Sequence, residues 1–304
     1  MISVVICTHN PRPDYFPRCL SALEEQTLPR NEWELVLIDN ASAPNRAPRP
    51  DLSWHPQHRV IREEKLGLTP ARLRGIREAR GEILVFVDDD NLLDPDYLEQ
   101  VVRIARDKPF LGSWSGQCRP EFEEMPPEWT KRYWGNLSVR TFDKDVWSNL
   151  PRLGETMPYG AGLCVRRDVA QYYVYLHQSG RRSFQFDRTG SSLISGGDND
   201  LAACACEIGM SVGLVHALKL IHLIPEDRLT EDYLARLAEG IHFSGVLLDY
   251  QWGRPLAPRG FSGRVADFLR LLRLGRPHRR IVAAANRGRD RAMGYIQTLT
   301  SSSP

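Results

Sequence analysis

The apolar run Ile83-Leu84-Val85-Phe86-Val87 leads straight into three consecutive aspartates, Asp88-Asp89-Asp90. Five apolar residues without alternation predict a strand buried on both faces, the pattern of a parallel sheet. Parallel strands need long crossover connections, so strands and helices must alternate along the chain. Three adjacent carboxylates at the end of such a strand repel one another unless water, a proton or a cation relieves them. In open α/β sheets, ligands bind just beyond the carboxyl ends of the strands, where this cluster falls. A solvated acidic turn explains the same residues, with Asp94-Pro95 as N-cap and first-turn proline of the next helix. Convergence of other segments on the same spot decides between the two.

The pattern around the aspartates is the expected alternation. Ile2–Cys7 predicts a buried strand broken by Thr8-His9-Asn10-Pro11, and Asp14 is positioned to cap a helix bearing Phe16, Leu20 and Leu23. Leu35–Ile38 predicts a second strand ending in Asp39-Asn40, and Val60-Ile61 a weak third. Thr69-Pro70 starts a helix stopped by Gly81, and the helix after Asp94 carries Leu98, Val101, Val102 and Ala105 on one face. A parallel sheet with helical crossovers follows, with Thr8, Asp39 and the aspartate cluster at one edge. Between Phe110 and Pro158 the pattern loosens, and Trp114, Trp129, Tyr133, Trp134 and Trp147 read equally as core or as a wall over a site.

Leu163–Val165 predicts a short strand after Tyr159-Gly160-Ala161-Gly162, and Asp168–Gln178 a helix. Asp198, in Ser195-Gly196-Gly197-Asp198-Asn199-Asp200, begins a helix reaching Ile208; a structural cap and a catalytic carboxylate both fit that place. Two strands, Val212–Val215 and Leu218–Ile221, lead to His222, another polar residue at a strand end. Thr230 caps a helix striped by Leu234, Leu237, Ile241 and Leu248. A second stripe, Val265, Phe268, Leu269 and Leu272, is flanked by Arg264, Arg270 and Arg273. Packing is the commonest fate of such a stripe and is the expectation here, with oligomer contact and a membrane surface as alternatives. The Ser301–Pro304 tail is expected to be disordered.

With 304 residues, 42% apolar and 26% charged, the chain has the composition of a globular protein with a substantial core. The net charge of +2 hides an asymmetry: residues 254–291 hold 11 arginines against Asp267 and Asp290, so a basic appendage can approach an anionic surface. Six cysteines without a C-x-x-C pair disfavour a zinc ribbon or thioredoxin-type site. No leader pattern and no apolar stretch of membrane-spanning length is present, which gives the expectation of a reducing, cytoplasmic setting, with peripheral contact to the inner face of the membrane through the C-terminal helices left open.

Together these segments resemble a known family. Val4-Val5-Ile6-Cys7-Thr8-His9-Asn10, Val36-Leu37-Ile38-Asp39-Asn40, Ala71-Arg72-Leu73-Arg74-Gly75-Ile76 and Asp88-Asp89-Asp90 look like the nucleotide-binding half of a family 2 glycosyltransferase of GT-A fold. Gly197-Asp198-Asn199-Asp200-Leu201 resembles the family's segment that carries the base, and the likeness spans about residues 1–250. It implies an α/β GT-A fold, a Rossmann-like, mostly parallel sheet flanked by helices, with a helical C-terminal appendage. The expected parts are a nucleotide-sugar-binding half at 1–110, an acceptor-binding and catalytic half at 111–228 and an Arg-rich appendage at 229–304. By position, Thr8 and Asp39 contact the nucleoside, Arg72 lies near the diphosphate, and Asp88 and Asp89 belong to the donor site. Asp88, Asp90 and His222 are the implied ligands of Mn²⁺ or Mg²⁺, and Asp198 is the general base. Two positions depart from the family pattern: Gly197 stands where Glu is common, and Leu73 where Asn is usual.

Hard oxygen donors suit such a cation, which stabilises a departing nucleoside diphosphate as a Lewis acid. The implied reaction is inverting transfer from a nucleotide-diphosphate sugar to a glycan, lipid-linked, protein or small-molecule acceptor, with no nucleic-acid partner. A sugar-nucleotide nucleotidyltransferase needs a Gly-rich basic loop after the first strand, where this chain has Thr8-His9-Asn10-Pro11-Arg12-Pro13; a NAD-type Rossmann enzyme needs G-x-G-x-x-G there. The remaining alternative is a catalytically silent nucleotide-sugar-binding or scaffold protein, which Gly197 favours.

Overall fold

The computed structural model describes residues 1–151, 154–182, 184, 186–187, 193–256 and 260–301; the expected disordered tail lies outside these from residue 302. The chain forms two compact units. The first comprises Met1–Glu123, Leu137–Ser183 and Gly197–Ile224. The second takes Glu124–Asn136, Phe184–Gly196 and Pro225–Pro304, so segments 124–136 and 184–196 join the C-terminal residues.

In the first unit, β1 (Ile2–Thr8), α1 (Phe16–Glu24), β2 (Trp33–Asn40), β3 (His58–Glu63), α2 (Leu68–Glu78), β4 (Ile83–Val87), β5 (Asn91–Leu93) and α3 (Tyr97–Asp107) come first. They are followed by β6 (Leu111–Phe122), β7 (Val146–Ser148), β8 (Leu163–Arg166), α4 (Arg167–Gln178), α5 (Gly197–Glu207) and β9 (Ser211–Ile224). One nine-stranded sheet results, in the order β3-β2-β1-β4-β8-β6-β9-β5 with β7 also on β9. Strands β1, β2, β3, β4, β6 and β9 run one way, and β5, β7 and β8 the other. β2 and β4 are buried at every residue around the apolar runs Leu35–Ile38 and Ile83–Val87, whereas edge strand β3 alternates exposed and half-buried residues. α1 buries Phe16, Cys19, Leu20 and Leu23, and α3 buries Tyr97, Leu98, Val101 and Ile104, in one core with the sheet.

Several details differ from the sequence pattern. Asp14 pairs with Arg12 at 2.6 Å instead of capping α1, whose N-cap is Tyr15. Asp94 does not cap α3 either: the N-cap is Asp96, and Asp94 pairs with Arg119. Val102 faces solvent on α3. The two strands expected before His222 are one strand, β9, which bulges where the pairing jumps from Ser115–Leu214 to Gln117–Lys219. Gly116 permits that bulge, because a Cβ there would lie 2.1 Å from the Leu218 carbonyl oxygen. The aromatics between 110 and 158 form no single wall. Trp114 is buried in β6, Trp129 and Tyr133 pack with His278 in the second unit, and Trp147 is half-exposed on β7 against Phe110.

The second unit is built on α6 (Glu231–Gln251), α7 (Phe261–Leu272) and α8 (Arg276–Ser301). Thr230 caps α6 as expected, its hydroxyl accepting the Tyr233 N–H at 3.2 Å. Arg280 pairs with Asp232 at 2.7 Å, and Arg287 and Arg291 pair with Glu239 at 3.1 and 2.6 Å. These pairings climb both helices together, so α6 and α8 run side by side in the same direction. Gly288 lets them touch, since a Cβ there would sit 2.1 Å from the Glu239 carbonyl oxygen. Phe184, Phe186, Leu247, Leu248, Ala292 and Ile296 form this unit's core. The expected packing of the α7 stripe is not found: Val265, Leu269 and Leu272 are 41%, 50% and 56% exposed. The side chains of Arg264, Phe268 and Arg270 lie outside the described residues.

Candidate active site

Sheet register assembles the strand-end residues. Thr8 lies opposite Asp39, Asp39 opposite Arg62, and Ile6 opposite Val87, so the aspartate run emerges beside Cys7 and Thr8. The Thr8 hydroxyl donates to the Asp89 carboxylate. Asp89 is thereby tied to β1. Asp39 is buried, with one carboxylate oxygen 2.8 Å from the Arg62 guanidinium and the other accepting the Ser42 N–H at 3.2 Å. Next to it, buried Asn40 accepts the N–H of Gly67 at 2.8 Å through its side chain and the His9 Nδ1–H at 2.7 Å through its backbone carbonyl. Gly67, at φ 137°, is the N-cap of α2, so Asn40 fixes the start of the helix that carries Arg72.

Arg72 is 4% exposed. Burial alone would favour loss of its charge, but the Asp198 and Asp88 carboxylates outweigh this and hold it above its ordinary range. Asp88 is pushed up, first by burial and then by Asp90, with Arg72 and His222 offsetting part of the rise. The neighbouring Cys7 thiol is pushed up to about 12 by burial, against the pull of Arg72.

Asp90 turns to the other side. Its carboxylate lies 3.4 Å from His222 Nε2, and His222 Nδ1–H donates to the Leu137 carbonyl at 3.0 Å. β5 pairs Asn91 with His222, and the Leu223 N–H bonds the Asp90 carbonyl at 2.9 Å, which locks the two residues together. Burial would lower the His222 pKa, yet Asp90 raises it to about 10. The tethered Nδ1 leaves Nε2 aimed at Asp90, an orientation typical of metal-ligating imidazoles. Among the described residues no three His, Cys, Asp or Glu side chains converge as a ready-made metal cage. The Asp90 carboxylate and the His222 imidazole, with Asp88 near enough to feel both charges, are donor types that a divalent cation takes.

Asp198 sits in the first turn of α5 and accepts the Gly160 N–H at 2.7 Å. Gly160 is the pivot of the site: a Cβ there would lie 3.1 Å from an Arg72 guanidinium nitrogen and 3.2 Å from an Asp198 carboxylate oxygen. The two chain halves thus meet at one glycine. Asp200, two residues on, is 1% exposed and sits 3.1 Å from Arg182, which also reaches Glu207 at 2.5 Å. Asp200 is structural and Asp198 faces the cluster. Sequence reasoning gave no role to Arg62, Asn40, Gly160 or Arg182. Asn40 and Gly160 carried local signals, in the strand end Asp39-Asn40 and in the turn Tyr159-Gly160-Ala161-Gly162.

Fold and site together define an α/β protein of GT-A type, with an acidic strand-end cluster facing a helix-borne carboxylate. Comparison with known proteins agrees: the profile of glycosyl transferase family 2 matches residues 3–163 of the 304. The chain belongs to that family. Glycosyltransferase AglE of Haloferax volcanii is 30% identical over 104 residues, 33% of this chain and 34% of that protein. A glucosyl-dolichyl phosphate glucuronosyltransferase of the same organism is 24% identical over 176 residues, covering 55% of this chain and 53% of the relative. The chain thus spans between a third and about half of these relatives. Among solved structures, S. aureus TarS 1-349 in complex with UDP-GlcNAc superposes with a TM-score of 0.52 at 14% identity, over 93% of this chain and 79% of that one. The complex of TarS 1-349 with UDP gives 0.51 at 13%, over 98% and 91%. At these identities the likeness is one of fold.

Proposed function

We propose that this chain transfers a sugar from a nucleoside-diphosphate sugar to an acceptor hydroxyl with inversion at the anomeric carbon. The observation that carries the reading is the meeting of Arg72 and Asp198 at Gly160, beside the Asp88–Asp90 cluster. Thr8 and Asp39 would hold the nucleoside, with Asp39 kept in place by Arg62. Asp88 and Asp89 line the donor side, and Arg72, kept charged by its carboxylate neighbours, would neutralise diphosphate oxygens. Asp90 and His222, next to Asp88, would hold Mn²⁺ or Mg²⁺. That cation, when bound, supplies Lewis-acid stabilisation of charge on the departing diphosphate.

Asp198 takes the acceptor hydroxyl's proton while the acceptor oxygen forms its bond to the anomeric carbon. The bond from that carbon to the phosphate oxygen breaks, and its electron pair leaves with the nucleoside diphosphate. Attack from the face opposite the leaving group inverts the centre. The Gly160 N–H holds Asp198 in the orientation this requires.

A thermal-shift screen of nucleoside diphosphates and their sugars, with and without Mn²⁺, tests the reading, and UDP and UDP-GlcNAc, the ligands in the TarS complexes, come first. The expected result is a cation-dependent rise in midpoint with at least one donor, and release of nucleoside diphosphate from that donor. Binding without any release would favour the silent binding protein; no shift with any nucleotide sugar would refute both.

A further inference from the structure

We propose that the outward face of α7 rests on an anionic lipid surface. Val265, Leu269 and Leu272 are spaced four and three residues apart, so they form one stripe along the helix, and all three are 41–56% exposed. Apolar stripes on a well-folded unit ordinarily find a partner.

The surrounding charge selects which partner. Several arginines of the second unit already have carboxylates: Arg236 and Arg280 pair with Asp232, Arg254 with Asp249, and Arg287 and Arg291 with Glu239. Arg273 and Arg276, which directly follow the stripe, have no carboxylate partner among the described residues. Arg279 spends its hydrogen bonds on the carbonyls of Leu271 and Leu274, both at 3.0 Å, and so keeps a positive charge at the end of the helix. Unbalanced cations therefore gather at the margin of the apolar stripe. A bilayer with acidic headgroups offers negative charge and an apolar layer at matching depth, the pairing that interfacial helices use. α7 lies on such a surface and does not cross it: 12 residues span about 18 Å against a hydrocarbon core of about 30 Å. No helix among the described residues is long and apolar enough to cross a membrane.

Co-sedimentation of the full chain with vesicles of phosphatidylcholine alone, or mixed equally with phosphatidylglycerol, tests this. The expected result is partitioning about tenfold stronger onto the anionic vesicles, weakened by high salt. Val265→Ser/Leu269→Ser/Leu272→Ser and, separately, Arg273→Ala/Arg276→Ala should each lower it about tenfold with the unfolding midpoint unchanged. The arginine pair gives an independent reading should the triple variant misfold. Equal binding to neutral and anionic vesicles, no binding to either, or wild-type binding by a folded variant would overturn the proposal. So would self-association abolished by the serine changes without any vesicle binding, which would make the stripe a contact between copies of the chain.

Discussion

The two acidic segments, Asp88-Asp89-Asp90 and Asp198-Asn199-Asp200, place carboxylates two residues apart in both cases, yet the fold uses them differently. Just past β4 the chain turns, with the Asn91 N–H on the Asp88 carbonyl at 3.0 Å, and the side chains diverge: Asp89 goes to Thr8, Asp90 to His222, and Asp88 into the field of Arg72. At the start of α5, two residues of helix rotate the side chains well apart, so Asp200 turns inward to Arg182 while Asp198 turns to Gly160. The first segment keeps its three carboxylates in one electrostatic neighbourhood. The second divides into a buried anchor, Asp200, and a carboxylate at Gly160, Asp198.

The largest effect that sharpens this contrast falls on Asp198. Asp198→Asn should lower transfer by about 10²–10⁴-fold, the usual contribution of a general base, while thermal stability stays near that of the wild type. Arg182→Met should do the reverse: removing the buried cation that faces Asp200 and Glu207 should cost about 3–5 kcal/mol, read by denaturant titration. Equal destabilisation by both variants would erase the distinction between the two carboxylates. Gly160→Ala comes next, because its new Cβ must push Arg72 or Asp198 by a few tenths of an ångström; turnover should fall on the order of tenfold with little change in unfolding midpoint.

The smallest effect lies away from the site and serves as a control for acid sensitivity. His55 is fully buried, stacks edge-on against Trp33 at 4.0 Å, and has a buried Nε2 without a hydrogen-bond partner. Burial, reinforced by Arg30 and His58, lowers its pKa to about 4 from the usual 6.5. The unfolded chain therefore binds a proton that the folded chain refuses, and stability should fall as pH drops from about 6.5 towards 4. Thermal midpoints across that window should show a component that His55→Phe lacks.

How much was legible follows the range of the interactions. The βαβ alternation of residues 1–107 showed in unbroken apolar runs, and register then brings Thr8, Asp39 and the aspartates to one edge. Asp198 and His222 were visible as residue types at element ends. Their partners were not, because counter-charges such as Arg62 on an edge strand and Arg182 in a loop are set by tertiary pairing. Strand β6 mixes Ser, Gly, Gln and Trp, so its sequence hides a 12-residue strand buried over its first eight residues. The α7 stripe shows in the sequence as an apolar period, but a period does not tell a packed face from an exposed one, and Val265, Leu269 and Leu272 are exposed.

In the proposed function the two acidic segments would serve one site with divided labour, cation at the first and proton at the second. Nucleoside-diphosphate affinity measured by calorimetry across a Mn²⁺ titration, side by side in wild type, Asp90→Ala and Asp198→Asn, tests it most directly. The expected result is cation-dependent binding in the wild type and in Asp198→Asn, and loss of that dependence in Asp90→Ala. Unchanged Mn²⁺ dependence in Asp90→Ala, or its loss in Asp198→Asn, would contradict it.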